Sequence, residues 1–440
     1  MARKLFISIL GTGPYGECTY SACGKPVLTT RYIQLATLKH LVEKCAVEKN
    51  SWTSTDAAII FLTSKAESDQ WLKGKAKEGK EILEKEGLKK ESEIMDFPFI
   101  LTPKPIKDGK DTDEIWDIFD TIFKEIKHED ELYFDITHAF RYLPMLLTVL
   151  INYSKFLKKV TVKSITYGNF MAETELKPIM DLTSISVLQD WTYAAGQYLD
   201  SGNVERLATL CNEETKLVLR NSLGKDEGAK NLKSFISKLS SVVEERRACR
   251  GIDIIQSKSL KGLKDAADIL EESTFIKPFN PIFEKIKKSL VSFDENENIR
   301  NGLSAAVWCY DNGLYQQSAT ILQEFVVSFF CLRHQIEIAD EENRELVNKA
   351  FNIRANNTDE KNWIAKDEQK PKIREILDDE YFDNEKLIAY FQNLTELRND
   401  FNHSGMRSKR APMKPANIKE NIKKCICGFA VLLFNIKIEK

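Results

Sequence analysis

The chain has 440 residues, 42% of them apolar, with a formal charge of −2. At about 150 residues per domain this length predicts two or three domains, and the charge excludes a globally basic nucleic-acid binder, so nucleic-acid contact must rest on a local patch. Nine cysteines without framework spacing suit a reducing cytoplasm, and no apolar stretch is long enough to span a bilayer.

In chain order, "KLFISIL" predicts a first strand; the glycines after it cut the apolar run short of a signal peptide. Gly11, Gly13 and Gly16 then spell G-x-G-x-x-G. A dinucleotide fingerprint needs a helix N-terminus directly after the glycines. Here "ECTYSACGKPVLTT" comes next, which predicts a hairpin or extended loop with a helix starting only near Thr29 or Thr30. The acidic ribose partner expected about 20 residues on is also missing, so the loop argues against a nicotinamide or flavin cofactor.

Further strands are predicted at "AAIIFLT" (57–63), "SEIMDF" (92–97), "ELYFDIT" (131–137) and "VKSITYGNF" (162–170). Helical patterns lie between them at "TTRYIQLATLKHLVEKC", "ESDQWLKGKAKEGKEILEKEG", "TDEIWDIFDTIFKEI" and "RYLPMLLTVLINYSKFL". This alternation predicts a Rossmann-like α/β domain with a parallel sheet, whose ligands bind beyond the carboxyl ends of the strands. The residues at those ends are Gly11, Thr12 and Gly13, Thr63 and Ser64, Asp135, Thr137, His138 and Arg141, and Asn169. Backbone amides, hydroxyls, an imidazole and a guanidinium suit a phosphate-bearing, adenine-like ligand. Taken alone, His138 fits a helix cap or a core histidine equally well.

After Asp181 the strand signals stop, and apolar residues recur at three- and four-residue intervals. The second half therefore reads as all-α, with Gly202, Gly313 and Gly405 at helix C-caps. Stretches near 222–232 and 355–372 are charged and weakly apolar, as linkers or surface insertions are. "ELRNDFNHSGMRSKRAPMKP" (396–415) sets Arg398 and His403 in an R-x4-H spacing at the end of an amphipathic helix. Arginine holds a phosphate and histidine moves protons near neutral pH, which are the needs of metal-free RNA transesterification. Asn399, four residues before His403, shares its face. Arg407, Lys409 and Arg410 make a local basic run that fits an RNA backbone. One Arg and one His are half a site, which a two-fold dimer completes.

Together, "ILGTGPY", "TTRYIQLA", "FLTSKA", "DITHAFRYLP", "YGNF", "PIMDLTS" and "RNDFNH" give a sequence that resembles the CRISPR-associated accessory ribonucleases of type III systems. Those carry a CRISPR-associated Rossmann-fold (CARF) sensor and a "higher eukaryotes and prokaryotes nucleotide-binding" (HEPN) nuclease domain. The resemblance implies a CARF sensor over 1–183, a helical connector over 184–297 and an α-helical HEPN domain over 298–440. It implies a cytoplasmic homodimer activated by cyclic oligoadenylate, with cyclic tetraadenylate favoured, that cuts single-stranded RNA without a metal or other cofactor. By position, Gly11, Thr12, Gly13, Thr63, Ser64, Thr137, His138, Ala139 and Arg141 fall in the sensor site. Arg398 and His403 become the nuclease pair, with Asn399 as helper. Ala139 stands where many relatives have glycine. The alternative is a cyclic-nucleotide sensor whose helical half only dimerises or binds a partner.

Overall fold

A computed structural model describes residues 2–138, 142–272, 279–406 and 411–438. The chain divides into two compact units, Met1–Gln189 and Asp190–Lys440.

The first unit is an eight-stranded sheet flanked by helices. Its strands are β1 (Lys4–Leu10), β2 (Cys18–Ala22), β3 (Lys25–Thr30), β4 (Ala57–Leu62), β7 (Leu101–Pro105), β8 (Glu131–Asp135), β9 (Thr161–Gly168) and β10 (Lys177–Asp181); β5 (Lys73–Glu78) and β6 (Glu81–Glu86) form a separate hairpin. The sheet order is β3-β2-β10-β9-β8-β1-β4-β7. The five strands from β9 to β7 are parallel, while β10 runs antiparallel to β9.

Every residue of β1 is buried because both faces of this strand are covered, as in other parallel sheets. Leu5, Ile7 and Ile9 pack with Ile118, Phe119 and Ile122 of α4 (Thr112–Glu125) and Leu146, Leu147 and Leu150 of α5 (Leu143–Lys158). Phe6 and Leu10 face the other way, against Leu35, Leu38 and Leu41 of α1 (Ile33–Val47). The chain builds β4 and β7 on one side of β1, then β8 and β9 on the other. The strand order thus reverses between β1 and β8, and that is where a crevice opens in such sheets.

Three sequence expectations are corrected. "SEIMDF" is not a strand: α3 (Leu88–Ile94) takes its first half, and the edge strand is the later Leu101–Pro105. Its two prolines are tolerated because β7 pairs only with β4. The segment "ESDQWLKGKAKEGKEILEKEG" is not one helix. It follows the short turn α2 (Ser64–Ala66) and forms a π-helical turn over Glu67–Leu72 and then the β5–β6 hairpin. Lys73, Lys75 and Lys77 are exposed while Gly74 and Ala76 are buried, a period of two rather than 3.6. β10 was not among the predicted strands; it extends the sheet to β2 and β3.

The second unit contains no strand among its described residues, as its periodicity predicts. After α6 (Thr183–Ser201) come α7 (Glu205–Asn221), α8 (Glu227–Arg247), α9 (Gly251–Gln256), α10 (Lys258–Glu272) and α11 (Asn280–Lys288). The remaining helices are α12 (Arg300–Asp311), α13 (Tyr315–Arg333), α14 (Glu341–Asn356), α15 (Lys370–Leu377), α16 (Glu385–Asn402) and α17 (Pro415–Phe434). Gly202, Gly313 and Gly405 all take positive φ, the backbone that ends helices. The stretch 222–232 is only partly a linker, because Asp226 caps α8 through Ala229 N at 2.8 Å. A ring cluster of Phe330, Phe351, Phe382 and Phe391 lies among α13, α14 and α16.

Candidate functional site

The tips of β1 and β8 meet in the first unit. Gly11 leaves no room for a side chain: a Cβ there would stand 2.8 Å from the Tyr15 hydroxyl and 3.7 Å from His138 Cβ. Gly16 faces Phe170. Gly13 is open, and its carbonyl accepts a 2.5 Å hydrogen bond from Gln70 Nε2. Tyr15 N donates to Lys75 O at 3.0 Å and Lys77 N donates to Tyr15 O at 2.9 Å. The glycine loop is therefore pinned to β5 and runs on into β2, with no helix N-terminus behind it.

The β8 tip is tied down by one buried carboxyl. Asp135 accepts from Ser8 Oγ of β1 at 2.7 Å and from Thr137 Oγ1 at 2.5 Å. Thr137 Oγ1 in turn accepts from Gly168 N of β9 at 2.8 Å. Burial pushes the Asp135 carboxyl above the usual range, against the hydrogen bonds from Thr137 and Ser8. The Thr137 hydroxyl, expected to face a ligand, is instead spent on joining three strand ends. Thr63 is likewise buried and caps α2 through Ala66 N at 3.3 Å, whereas Thr12, Gly13 and Ser64 are exposed. Asn169 is half-buried, and its backbone N donates to Pro178 O. Ala139 and Arg141 lie outside the described residues.

His138 sits where the strand order reverses. Its ring lies 4.5 Å from that of Tyr15, inclined by 32°, and its Nε2 is enclosed with no hydrogen-bond partner among the described residues. Burial pushes its pKa down to about 4, so the imidazole is neutral at pH 7. A buried orphan nitrogen of this kind is one that a ligand can satisfy. Since the unfolded histidine titrates near 6.5, the unfolded chain binds more protons between the two values. Stability from this group is thus lost as pH falls from about 6.5 towards 4. Denaturant midpoints at pH 7 and 4.5 should show His138→Phe losing about 2 kcal/mol less than the parent on acidification.

The sequence reading missed Tyr15, Gln70 and the β5–β6 hairpin. The signal for the hairpin was there in Gly74 and Gly79: a Cβ on Gly74 would overlap the Glu86 carbonyl of the partner strand, and Gly79 takes positive φ at the turn. Gly74→Ala should cost about 1–3 kcal/mol by forcing the hairpin apart. It should also free the glycine loop, read as faster hydrogen exchange at the Tyr15 and Lys77 amides.

In the second unit, Asn384 caps α16 through Lys386 N and Leu387 N. Leu387, Phe391, Leu394 and Leu397 are its buried stripe. The helix ends at Asn402, His403 is the C-cap, and Ser404 and Gly405 come next at φ 52° and 71°. Arg398 and His403 do occupy the final turns. Five residues turn the helix by about 140° beyond a full revolution, so the two side chains leave the axis in different directions. His403 is exposed, and its backbone N donates to Asn399 O at 3.1 Å. Arg398 is a third exposed and donates through Nη1 to Glu324 at 2.9 Å and to Gln323 at 3.3 Å, both on α13. The other oxygen of Glu324 accepts from Arg344 of α14 at 2.6 Å. This Arg–Glu–Arg bridge was not foreseen. Arg407, Lys409 and Arg410 lie outside the described residues.

Residues 5–170 match the family model described as the CARF domain of the CRISPR system endoribonuclease Csx1. The chain is 25% identical over 321 residues to the CRISPR-associated protein MJ1674 of Methanocaldococcus jannaschii, an alignment that covers 67% of this chain and 48% of that protein. It thus spans about half the length of that curated relative. A solved structure of Enterococcus italicus Csm6 bound to cyclic hexa-2′-fluoro-hexa-dAMP aligns over 99% of this chain and 94% of its own, with 10% identity and a TM-score of 0.44. No helix among the described residues is long and apolar enough to cross a membrane.

Proposed function

We propose that this chain is a cyclic-oligoadenylate sensor coupled to a metal-independent endoribonuclease of CRISPR defence, working as a homodimer. The observation that carries the reading is the CARF match over 5–170, the segment whose β1 and β8 tips meet beside His138. In this reading the exposed Thr12, Gly13 and Ser64 meet phosphate and ribose, and His138 Nε2 gains a hydrogen-bond partner from the ligand. His403 moves protons for the attack of a 2′-oxygen on the adjacent phosphorus. That step forms a 2′,3′-cyclic phosphate and releases the 5′-oxygen, which takes up a proton. Arg398 stabilises the charge on the phosphoryl oxygens with guanidinium donors beyond the Nη1 given to Glu324.

The Arg398–Glu324 pair favours a second reading, in which the helical unit is a non-catalytic dimerisation or partner-binding module and Arg398 is structural. A fluorescent single-stranded RNA assay in EDTA, with cyclic tri-, tetra- or hexaadenylate added in turn, separates the two. The proposal expects cleavage switched on by one ring, cyclic tetraadenylate first. Activator binding with no cleavage at any ring size supports the module instead.

A further inference from the structure

A second feature adjoins Arg398. A groove of about 610 Å³ runs between α14 and α16, floored by α13, within the range of small-ligand sites. Six of its fourteen lining residues are amides, Gln323, Asn348, Asn352, Asn356, Gln392 and Asn393. They come from all three helices, so no single solvated helix face accounts for them. Its charged residues are Glu345 and Glu396 against Lys349 and Arg398. The groove therefore carries no net charge, and a phosphate backbone would gain nothing by lying along it. The apolar rings at its base, Phe351 and Phe391, are stacked on each other 3.8 Å apart and buried.

Amides carry a donor and an acceptor on one planar group, which is the pattern that matches a base edge. Single-stranded RNA offers unstacked bases with those edges exposed. Gln323 is committed, donating to Thr395 and accepting from Arg398. It fixes the arginine at the groove's inner end. Asn352 and Gln392 are exposed on the opposing walls of α14 and α16; Asn352 Oδ1 accepts from Asn356 Nδ2 at 2.5 Å, which leaves the Asn352 Nδ2 group to donate to a base edge. We propose that this groove holds one unpaired nucleobase of the RNA whose phosphate Arg398 contacts, and that Asn352 and Gln392 read its edge. The inference rests on the ribonuclease reading and adds a source of sequence preference to it.

The test uses the full chain with cyclic tetraadenylate and 20-nucleotide RNAs of A, C or U. The parent should favour one base by about tenfold or more in kcat/KM, the scale of one well-placed edge contact. Asn352→Ala with Gln392→Ala should bring the three RNAs within about threefold, mainly through KM. Both side chains are exposed, so folding is retained, and circular dichroism checks it. A parent without preference, or a double variant that keeps it, overturns the inference and leaves the ribonuclease reading standing. If the parent cuts no RNA, the ribonuclease reading fails on its own. Fluorescence anisotropy with the same RNAs then decides the groove: base-selective binding lost in the double variant supports it, and equal binding sinks it.

Discussion

His403→Ala should lower activator-dependent RNA cleavage by about 10²–10⁴-fold, the range a positioned proton-transfer group contributes. The side chain is exposed and caps no helix through its ring, so thermal stability should move by no more than about 0.5 kcal/mol. Activator affinity, measured by calorimetry, should be unchanged. Arg398→Ala is a poorer probe on its own, because it also strips Glu324 of one of its two arginine partners. Full cleavage by His403→Ala would remove the imidazole from the chemistry and leave the helical unit without a proton donor at the end of α16.

The second large effect is expected at the other unit. Gly13→Asp should weaken cyclic tetraadenylate binding by about 100-fold or more. Among the described residues a Cβ at Gly13 meets nothing within 4 Å, and the residue does not take positive φ, so a side chain is accommodated without backbone strain. The new carboxylate stands at an exposed edge where the proposal puts phosphates. At about 4 Å and intermediate dielectric, one like-charge pair repels by about 4 kcal/mol before screening, and about 1.4 kcal/mol is tenfold in Kd. Gly13→Asn has the same shape without the charge and should stay within a few-fold of the parent. Equal loss in both variants would mean that shape rather than charge decides. No loss in either would place the ligand away from the β1 tip.

Long-period and buried features were readable from residues alone. The run "KLFISIL" is a central strand because it is mostly apolar on both faces, interrupted only by Lys4 and Ser8, and the "TDEIWDIFDTIFKEI" pattern forms α4 because its apolar stripe repeats at helical intervals. That strands rather than a helix follow the glycine loop was readable because Gly24 and Pro26, soon after it, break a helix. The hairpin at 73–86 was misread because its alternating lysines and glutamates also satisfy helical i,i+4 pairing. In the hairpin they pair across strands instead, Lys73 with Glu84 and Lys85 with Glu78. At the candidate site, the strand ends named in the sequence include residues the fold brings together, Gly11 beside His138. Which hydroxyls stay available depends on partners distant in sequence: Thr137 is claimed by Gly168, 31 positions on. The Glu324 contact to Arg398 spans 74 positions, and no local pattern announces it.

Asp135 buckles three neighbouring strands, through Ser8 on one side and through Thr137 and Gly168 on the other. A molecule arriving at that rim meets a frame already locked in place. In the proposed sensor, little of the ligand's binding energy goes into ordering β1, β8 and β9, and the entropy lost on association comes from the ligand and from the side chains proposed to meet it, such as those of Thr12 and Ser64. Tightness at this end of the sheet is thus inherited from folding, before any guest arrives.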